Sequence, residues 1–232
     1  MKPIPCLICH EDFSEQVTWT DLLLPSNQRT CDDCYSSLQK ITGPTCCICF
    51  RPQESDGICY DCQRWNDDIN WQNIIQRNVS VFQYNEGMKN VLASYKFRGD
   101  AELVKVFQND FLNSYKKYFT TYKIDATVPI PLSDERLYER GFNQAKLLAD
   151  LLPLPQLHVL QRTHHEKQSK KSRQQRITAS NVFSLKNSSI ISNKKLLLID
   201  DIYTTGSTLR QAAKILLDSG ADKIYCLTLI RS

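Results

Sequence analysis

The sequence predicts an α/β fold, in which a mostly parallel sheet is flanked by helices, with a small cysteine-rich module at the N-terminus. Eight of the ten cysteines form four Cys-x-x-Cys pairs within the first 62 residues. From Val79 onward, strand-like and helix-like patterns alternate. The last of them are an apolar strand at Lys195–Asp200, an amphipathic helix and a second apolar strand at Ile224–Ile230. A strand, a crossover helix and a strand favour a parallel sheet that is covered on both faces.

The cysteine pairs have the spacing of tetrahedral zinc sites, because each Cys-x-x-Cys turn presents two thiolates and two turns complete one site. The simplest pairing places the first two pairs at one ion and the last two at another, although crossed pairing also fits the spacing. Four thiolates close each site, so the zinc would be structural. A redox dithiol is the competing interpretation, but four pairs in series argue against it. The predicted ligands are Cys6, Cys9, Cys31, Cys34, Cys46, Cys49, Cys59 and Cys62.

Two cysteines fall outside the pairs. Cys226 lies in an apolar strand, where it is most simply a small core residue, and Cys47 is a spare thiol beside Cys46. We predict a double zinc-ribbon module at residues 1–68 and an α/β domain at residues 79–232, joined near Trp65 to Asn78.

The elements of the α/β domain follow from periodicity and turn residues. The sequence predicts that a charged loop follows the second strand and that the segment before the last two strands is a basic loop. The predicted strands are Val79–Tyr84, Ala126–Ile130, Leu157–Leu160, Asn181–Leu185, Lys195–Asp200 and Ile224–Ile230, and the predicted helices are Met88–Phe97, Ala101–Tyr118, Phe142–Leu152 and Leu209–Leu217.

Composition limits the class of protein. A chain of 232 residues can bury one sizeable core beside a small module that needs metal to fold. The N-terminus lacks the apolar run of a signal peptide, and no apolar stretch is long enough to span a bilayer. We therefore expect a cytoplasmic protein with no membrane insertion. The net charge of +4 is concentrated in Arg162–Arg176, which carries +5 and leaves −1 for the rest of the chain.

The segment Leu196–Leu209 carries the predicted chemistry. Asp200 and Asp201 appear where an apolar strand ends, and a hydroxyl-rich turn then opens a helix at the sheet edge where α/β proteins bind ligands. Unpaired N–H groups at the helix start suit a monophosphate. Two adjacent acids need sugar hydroxyls or a cation beside them, which makes an ordinary capped turn the weaker alternative. The predicted phosphate cradle consists of Thr204, Thr205, Gly206, Ser207 and Thr208.

This segment resembles the phosphoribosyl pyrophosphate (PRPP) signature of type I phosphoribosyltransferases. The resemblance implies that fold, with Asp200 and Asp201 as catalytic acids that hold the ribose hydroxyls. It also implies that the 5′-phosphate binds at Thr204–Thr208 and that Mg²⁺ accompanies PRPP.

Three further motifs, Tyr95–Asp100, Val128–Pro131 and Glu139–Gln144, occur in the order seen in the ComF family, where a four-pair cysteine module also comes first. The chain resembles this family of late-competence proteins over nearly its full length. Transformable bacteria need such proteins to take up single-stranded DNA. The resemblance implies single-stranded DNA and a competence helicase of the ComFA type as partners.

Basic residues near the predicted site have two or more interpretations. Arg136 and Arg140 lie at the family's pyrophosphate-loop position, where a solvated charged loop is an equal alternative. Lys96 either contacts phosphate or complements the end of its helix. The basic segment Arg162–Arg176 can close over the pyrophosphate, follow a DNA backbone or remain solvated and disordered. Its candidate DNA-binding residues are Lys167, Lys170, Lys171 and Arg173.

Two functions from different classes follow. The first is a competence protein that acts in the uptake of single-stranded DNA and carries a PRPP-binding site. The alternative is an active PRPP-dependent phosphoribosyltransferase with an unknown acceptor. No segment after the cysteine module resembles the hood that recognises an acceptor base in such enzymes, which weighs against the alternative.

Overall fold

The computed structural model describes residues 4–14, 29–97, 100–162 and 182–232. The strands are β1 (Ile4–Pro5), β2 (Asp12–Phe13), β3 (Arg77–Gln83), β4 (Ala126–Pro129), β5 (Leu160–Arg162), β6 (Phe183–Leu185), β7 (Lys195–Tyr203) and β8 (Lys223–Arg231). The helices are α1 (Asp32–Ser36), α2 (Tyr60–Asp67), α3 (Glu86–Phe97), α4 (Val104–Phe119), α5 (Asp134–Arg140), α6 (Gln144–Asp150) and α7 (Ser207–Asp218).

The centre of the molecule is a four-stranded sheet in the order β3-β8-β7-β4, and every pair in it is parallel. The predicted parallel sheet is therefore confirmed. Pro129 lies in β4, which is an edge strand, and an edge is where a sheet tolerates a residue without an N–H donor.

Both faces of the sheet are buried, because successive side chains of a strand point to opposite faces. Leu197 and Ile199 pack into a core with α3, α4 and α6, whereas Leu196 and Leu198 pack into a second core with α7. The continuous apolar run of β7 thus fills two cores. The second core also contains the last four paired cysteines, so this part of the N-terminal module packs directly against the sheet.

The predicted charged loop after β4 is wrong, because residues 134–140 form α5. The Ser133 side chain accepts a hydrogen bond from the Arg136 N–H, and the acids Asp134 and Glu135 lie in the first turn, where the helix dipole favours negative charge. Gly141, at φ 76°, ends the helix by donating its N–H to the Leu137 carbonyl. These capping interactions explain why α5 forms although none of its residues is buried.

Strand and helix ends differ from the predictions by a few residues. The largest difference is at β7, which extends to Tyr203, so that Asp200 and Asp201 lie inside the strand. The sequence predicts a strand at Leu157–Leu160, whereas the strand in the structure, β5, covers Leu160–Arg162 and pairs antiparallel with β6. The helix predicted from Ala101 begins with a 3₁₀ turn at Ala101–Leu103. The module also contains α1 and α2, which the sequence did not predict.

Within the described ranges, no helix has both the length and the apolar character needed to cross a membrane.

Candidate functional site

A cleft of about 190 Å³ lies at the carboxyl edge of the sheet, where the predicted acids, phosphate loop and cations meet. Each group comes from a different element: the acids from β7, the loop from the β7–α7 connection, and the cations from α3, α5 and β5. The charged and hydroxyl side chains that line it are Lys96, Arg136, Arg140, Arg162, Asp200, Asp201, Thr204 and Thr208.

The two acids lie in different surroundings. Asp201 is 7% exposed, and its Oδ2 lies 2.6 Å from Lys96 Nζ, so a nearby cation neutralises it. Asp200 Oδ1 accepts a hydrogen bond from the Asp201 N–H at 2.9 Å. Burial, and then the charge of Asp201, raise the pKa of Asp200 to about 8. Near neutral pH, Asp200 can therefore either donate or accept a hydrogen bond when it meets a hydroxyl group.

The loop between β7 and α7 has the shape of an anion site. Gly206 adopts φ 77° immediately before α7, whose first N–H groups have no partner inside the helix. The Thr205 hydroxyl accepts a hydrogen bond from the Ser207 N–H at 3.4 Å and lies 3.2 Å from the Ser207 hydroxyl. A helix start whose N–H groups have no partner inside the helix, with hydroxyl groups beside it, favours a phosphate group.

Gly206 has no room for a side chain. A Cβ there would lie 2.2 Å from the Tyr203 hydroxyl and 2.4 Å from Arg210 Nη1. We expect Gly206→Ala to lower the free energy of unfolding by about 2–4 kcal/mol, because the positive φ and the displaced buried pair both cost energy. Urea unfolding measures the change.

Gly141→Ala is the matched control, because Gly141 has φ 76° and no atom within 4 Å of its Cβ position. It should lose only about 1 kcal/mol, the usual cost of placing alanine at a positive φ. Equal losses in the two variants would contradict the steric explanation.

Three arginines line the cleft in addition to Lys96, which pairs with Asp201. Arg140 Nη1 donates to Gln144 Oε1 at 3.0 Å, which fixes the guanidinium against α6. Burial, and then the charge of Arg136, lower the pKa of Arg162. The sequence places Arg162 in the basic segment, but in the structure it lies on β5 and lines the cleft. Its position beside an apolar strand residue is the signal that indicates this. Several like charges around one cavity favour a ligand with several negative charges.

Two clusters of four cysteines fit zinc, and they have the simplest predicted pairing. In each cluster the four sulfur atoms lie within 4.8 Å of one another. Cys9 and Cys31 Sγ are 3.9 Å apart, and Cys49 and Cys59 Sγ are 3.6 Å apart. Four sulfurs at the usual zinc distance of about 2.3 Å would be separated by about 3.8 Å. Cys47 is exposed and belongs to neither cluster.

The first cluster (Cys6, Cys9, Cys31 and Cys34) is partly exposed, whereas all four members of the second (Cys46, Cys49, Cys59 and Cys62) are buried. Cys226 is fully buried in β8, in agreement with its interpretation as a core residue.

Comparison with known proteins agrees with this geometry. The phosphoribosyl transferase domain family matches residues 137–232, which include the acids and the phosphate loop. Competence protein ComFC of Bacillus subtilis (strain 168) is 45% identical over 229 residues, covering 98% of this chain and 95% of that protein. The chain belongs to the ComF family. This membership and the type I phosphoribosyltransferase fold confirm the resemblance found in the sequence.

Two further relatives and one solved structure are also similar to this chain. Competence protein ComFC of Streptococcus pneumoniae (strain ATCC BAA-255 / R6) is 35% identical, covering 97% of this chain and 99% of that protein. The DNA utilization protein YhgH of Escherichia coli (strain K12) is 28% identical, covering 66% of this chain and 71% of that protein. The solved adenine phosphoribosyltransferase of Leishmania tarentolae is 14% identical, with a TM-score of 0.38, and the match covers 65% of this chain and 91% of that protein.

The structure brings together most of the predicted site of this ComF protein. The two acids and the three predicted pyrophosphate ligands Lys96, Arg136 and Arg140 line one cleft. Thr204 and Thr208 of the predicted phosphate cradle line it too, whereas Thr205 lines a different cavity, beside Trp65. The predicted DNA-binding residues Lys167, Lys170, Lys171 and Arg173 lie outside the described residues.

Proposed function

We propose that this ComF protein acts in the cytoplasm in the uptake of single-stranded DNA during natural transformation, and that it binds PRPP with Mg²⁺. The observation that carries the PRPP proposal is the cleft itself. Two acids, the start of the phosphate loop and four cations line it at one edge of the sheet. Kinship with proteins named for competence and for DNA utilization supports the DNA role.

Each part of PRPP has a complementary group in the cleft. We assign the 5′-phosphate to the loop Thr204–Thr208, which offers backbone N–H groups at the start of α7 and side-chain hydroxyls as donors. Asp200 and Asp201 would accept hydrogen bonds from the ribose 2′- and 3′-hydroxyls. The pyrophosphate would lie near Arg136, Arg140 and the Lys96 ammonium, where charge-assisted hydrogen bonds are strongest. Bound Mg²⁺ would offset the charge of the pyrophosphate oxygens.

Calorimetric titration of the zinc-loaded protein with PRPP and Mg²⁺ tests this assignment. We expect saturable binding, and weaker binding of ribose 5-phosphate, because ribose 5-phosphate leaves the arginines without a ligand. Absence of saturable PRPP binding would overturn the proposal.

We propose that the basic segment contacts DNA through its phosphates. Replacing Lys170, Lys171 and Arg173 together by glutamine should weaken the binding of single-stranded DNA. It should also reduce the salt dependence of the affinity. The log–log slope should fall by about 0.7 for each phosphate contact that is lost. Fluorescence anisotropy with a labelled oligonucleotide, over a series of salt concentrations, measures both changes.

Neutralising the exposed lysines Lys89, Lys116 and Lys223 removes the same charge elsewhere and is the control. An equal loss in both triple variants would show that net charge, and not this segment, controls DNA binding.

We further propose a helicase of the ComFA type as a partner. Family membership supports this proposal, and exposed apolar side chains on the N-terminal module offer contact area: Tyr60 is 73% exposed and Ile58 is 51% exposed. Tyr60→Ser with Ile58→Ser should weaken co-purification with the helicase if the module forms the contact.

Catalysis by a PRPP-dependent phosphoribosyltransferase is the second candidate. It is favoured by the completeness of the cleft, because a protein that only bound DNA would not need acids and cations around one cavity. Pyrophosphate release from PRPP in the presence of candidate bases distinguishes an enzyme from a binding protein.

A further inference from the structure

The end of β7 and the start of the phosphate loop contact a buried guanidinium, that of Arg231, which does not line the cleft. Arg231 is 4% exposed, and its Nη1 donates to the carbonyl oxygens of Tyr203 at 3.1 Å and Thr204 at 3.0 Å. Its other terminal nitrogen, Nη2, lies 3.7 Å from Cys49 Sγ. One side chain therefore links the start of the phosphate loop to the second cysteine cluster.

A second contact between the module and the loop lies next to the first. Trp65 of α2 donates its indole N–H to the Thr205 carbonyl at 3.2 Å. The Arg210 guanidinium lies 4.6 Å from the centre of the Trp65 ring and donates to the Tyr203 hydroxyl at 2.7 Å. Three consecutive carbonyls of the loop, those of Tyr203, Thr204 and Thr205, are thus held from one side.

Holding these carbonyls also orients the loop donors. In a trans peptide the C=O of one residue and the N–H of the next point in opposite directions within one plane. Fixing the Tyr203, Thr204 and Thr205 carbonyls therefore fixes the N–H groups of Thr204, Thr205 and Gly206. These N–H groups belong to the proposed phosphate cradle, and preorganised donors bind an anion at lower cost than mobile ones.

Arg231 Nη1 also donates to the Ser232 oxygen, but no acidic side chain among the described residues compensates the charge of the guanidinium. No Asp or Glu side chain in the described ranges lies within ion-pair distance of it, and its Nε is buried without a hydrogen-bond partner. A buried cation is costly unless it is paired. A zinc ion with four thiolates carries a net charge of −2, and the Cys49 sulfur is already within contact distance of Arg231.

We propose that Arg231 is a positioning residue that couples the second cysteine cluster, loaded with zinc, to the shape of the 5′-phosphate loop. The tetrathiolate site supplies counter-charge at Nη2 of the guanidinium, and Nη1 of the same guanidinium holds the loop carbonyls. The metal site thereby contributes to ligand binding without touching the ligand. The part of this inference that concerns ligand affinity rests on the proposed PRPP site.

Two histidine substitutions test the coupling in the full-length protein. Cys49→His keeps four zinc ligands but removes the sulfur that contacts Arg231, whereas Cys62→His makes the same ligand change at an equally buried cysteine with no contact to Arg231. Hydrogen exchange of the segment 203–208, followed by mass spectrometry, reports on the loop without any ligand. We expect loop amides to exchange about tenfold faster in Cys49→His than in Cys62→His, and PRPP affinity to fall by a similar factor.

A second pair of variants applies if either histidine variant fails to retain two zinc ions. Arg231→Lys keeps the positive charge but removes the planar guanidinium, whose two terminal nitrogens contact the Cys49 sulfur and the loop carbonyls. Arg77→Lys is its control, because Arg77 stacks between Phe50 and Tyr118 and has no contact with the loop. Faster loop exchange in Arg231→Lys alone, with zinc content unchanged, supports the coupling.

The outcomes separate the two proposals. Equal loop exchange within both pairs of variants overturns the coupling, even if PRPP binds. Faster exchange in Cys49→His or Arg231→Lys supports the coupling, even if the wild-type protein fails to bind PRPP, a result that would overturn only the proposed ligand.

Discussion

We expect the Asp200→Ala, Asp201→Ala double variant to lose at least about thirtyfold in affinity for PRPP. Asp201 is proposed to accept a hydrogen bond from a ribose hydroxyl as a carboxylate, which contributes about 1.5–3 kcal/mol, whereas burial raises the pKa of Asp200 to about 8, so its hydrogen bond contributes about 0.5–1.5 kcal/mol. Losing both removes at least about 2 kcal/mol, which is about thirtyfold in the dissociation constant. Calorimetric titration with PRPP and Mg²⁺ measures the loss.

The control for this variant is Asp218→Ala with Asp222→Ala, which removes two acids from exposed positions at the opposite edge of the sheet. Thermal unfolding must also be compared, because Asp201→Ala leaves the Lys96 ammonium without its carboxylate. Single-stranded DNA binding should remain mostly intact if the basic segment carries it. Unchanged PRPP affinity in a folded double variant would contradict the placement of the ribose beside β7.

The second large effect concerns the two cysteine clusters. We expect Cys46→Ser to lower the unfolding temperature by about 10 °C or more, and Cys9→Ser to lower it much less. Cys46 is fully buried, and its cluster shares a core with β7, β8 and α7, whereas Cys9 is exposed. Loss of a structural metal removes folding free energy, and for a chain of this size each 1 kcal/mol corresponds to about 2–4 °C.

Thermal scans monitored by far-ultraviolet circular dichroism, with zinc content measured on the same samples, test this difference. The whole transition should shift in Cys46→Ser, because the second cluster is part of the domain core. A separate early transition that leaves the main one unshifted would show that the second cluster folds independently of the sheet. Equal shifts in the two variants would also contradict the expectation.

Local sequence signals identified the sheet and the acids. The apolar run of β7 predicted a strand covered on both faces, and the acids and glycine that follow predicted a site at its carboxyl edge. The helix α5 was missed because its charges alternate and it buries nothing. Ser133 before two acids, and Gly141 after Arg140, were the available signals.

Long-range contacts had no local signal. Lys96 and Asp201 form an ion pair although they are far apart in the sequence, and nothing near either residue indicates the other. The same holds for Arg231 and Cys49, which come together only because β8 lies beside the packed module. Such pairs depend on how helices and strands pack against one another, and hydrophobic periodicity carries no information about that packing.

The place of β8 inside the sheet has a consequence for the newly made chain. Because β8 separates β3 from β7, both of those strands leave the ribosome before the strand that pairs with each of them. Until β8 emerges, each exposes an unpaired apolar edge, the kind of surface on which nascent chains aggregate. Chaperone capture during synthesis should therefore be strongest between the emergence of β7 and that of β8.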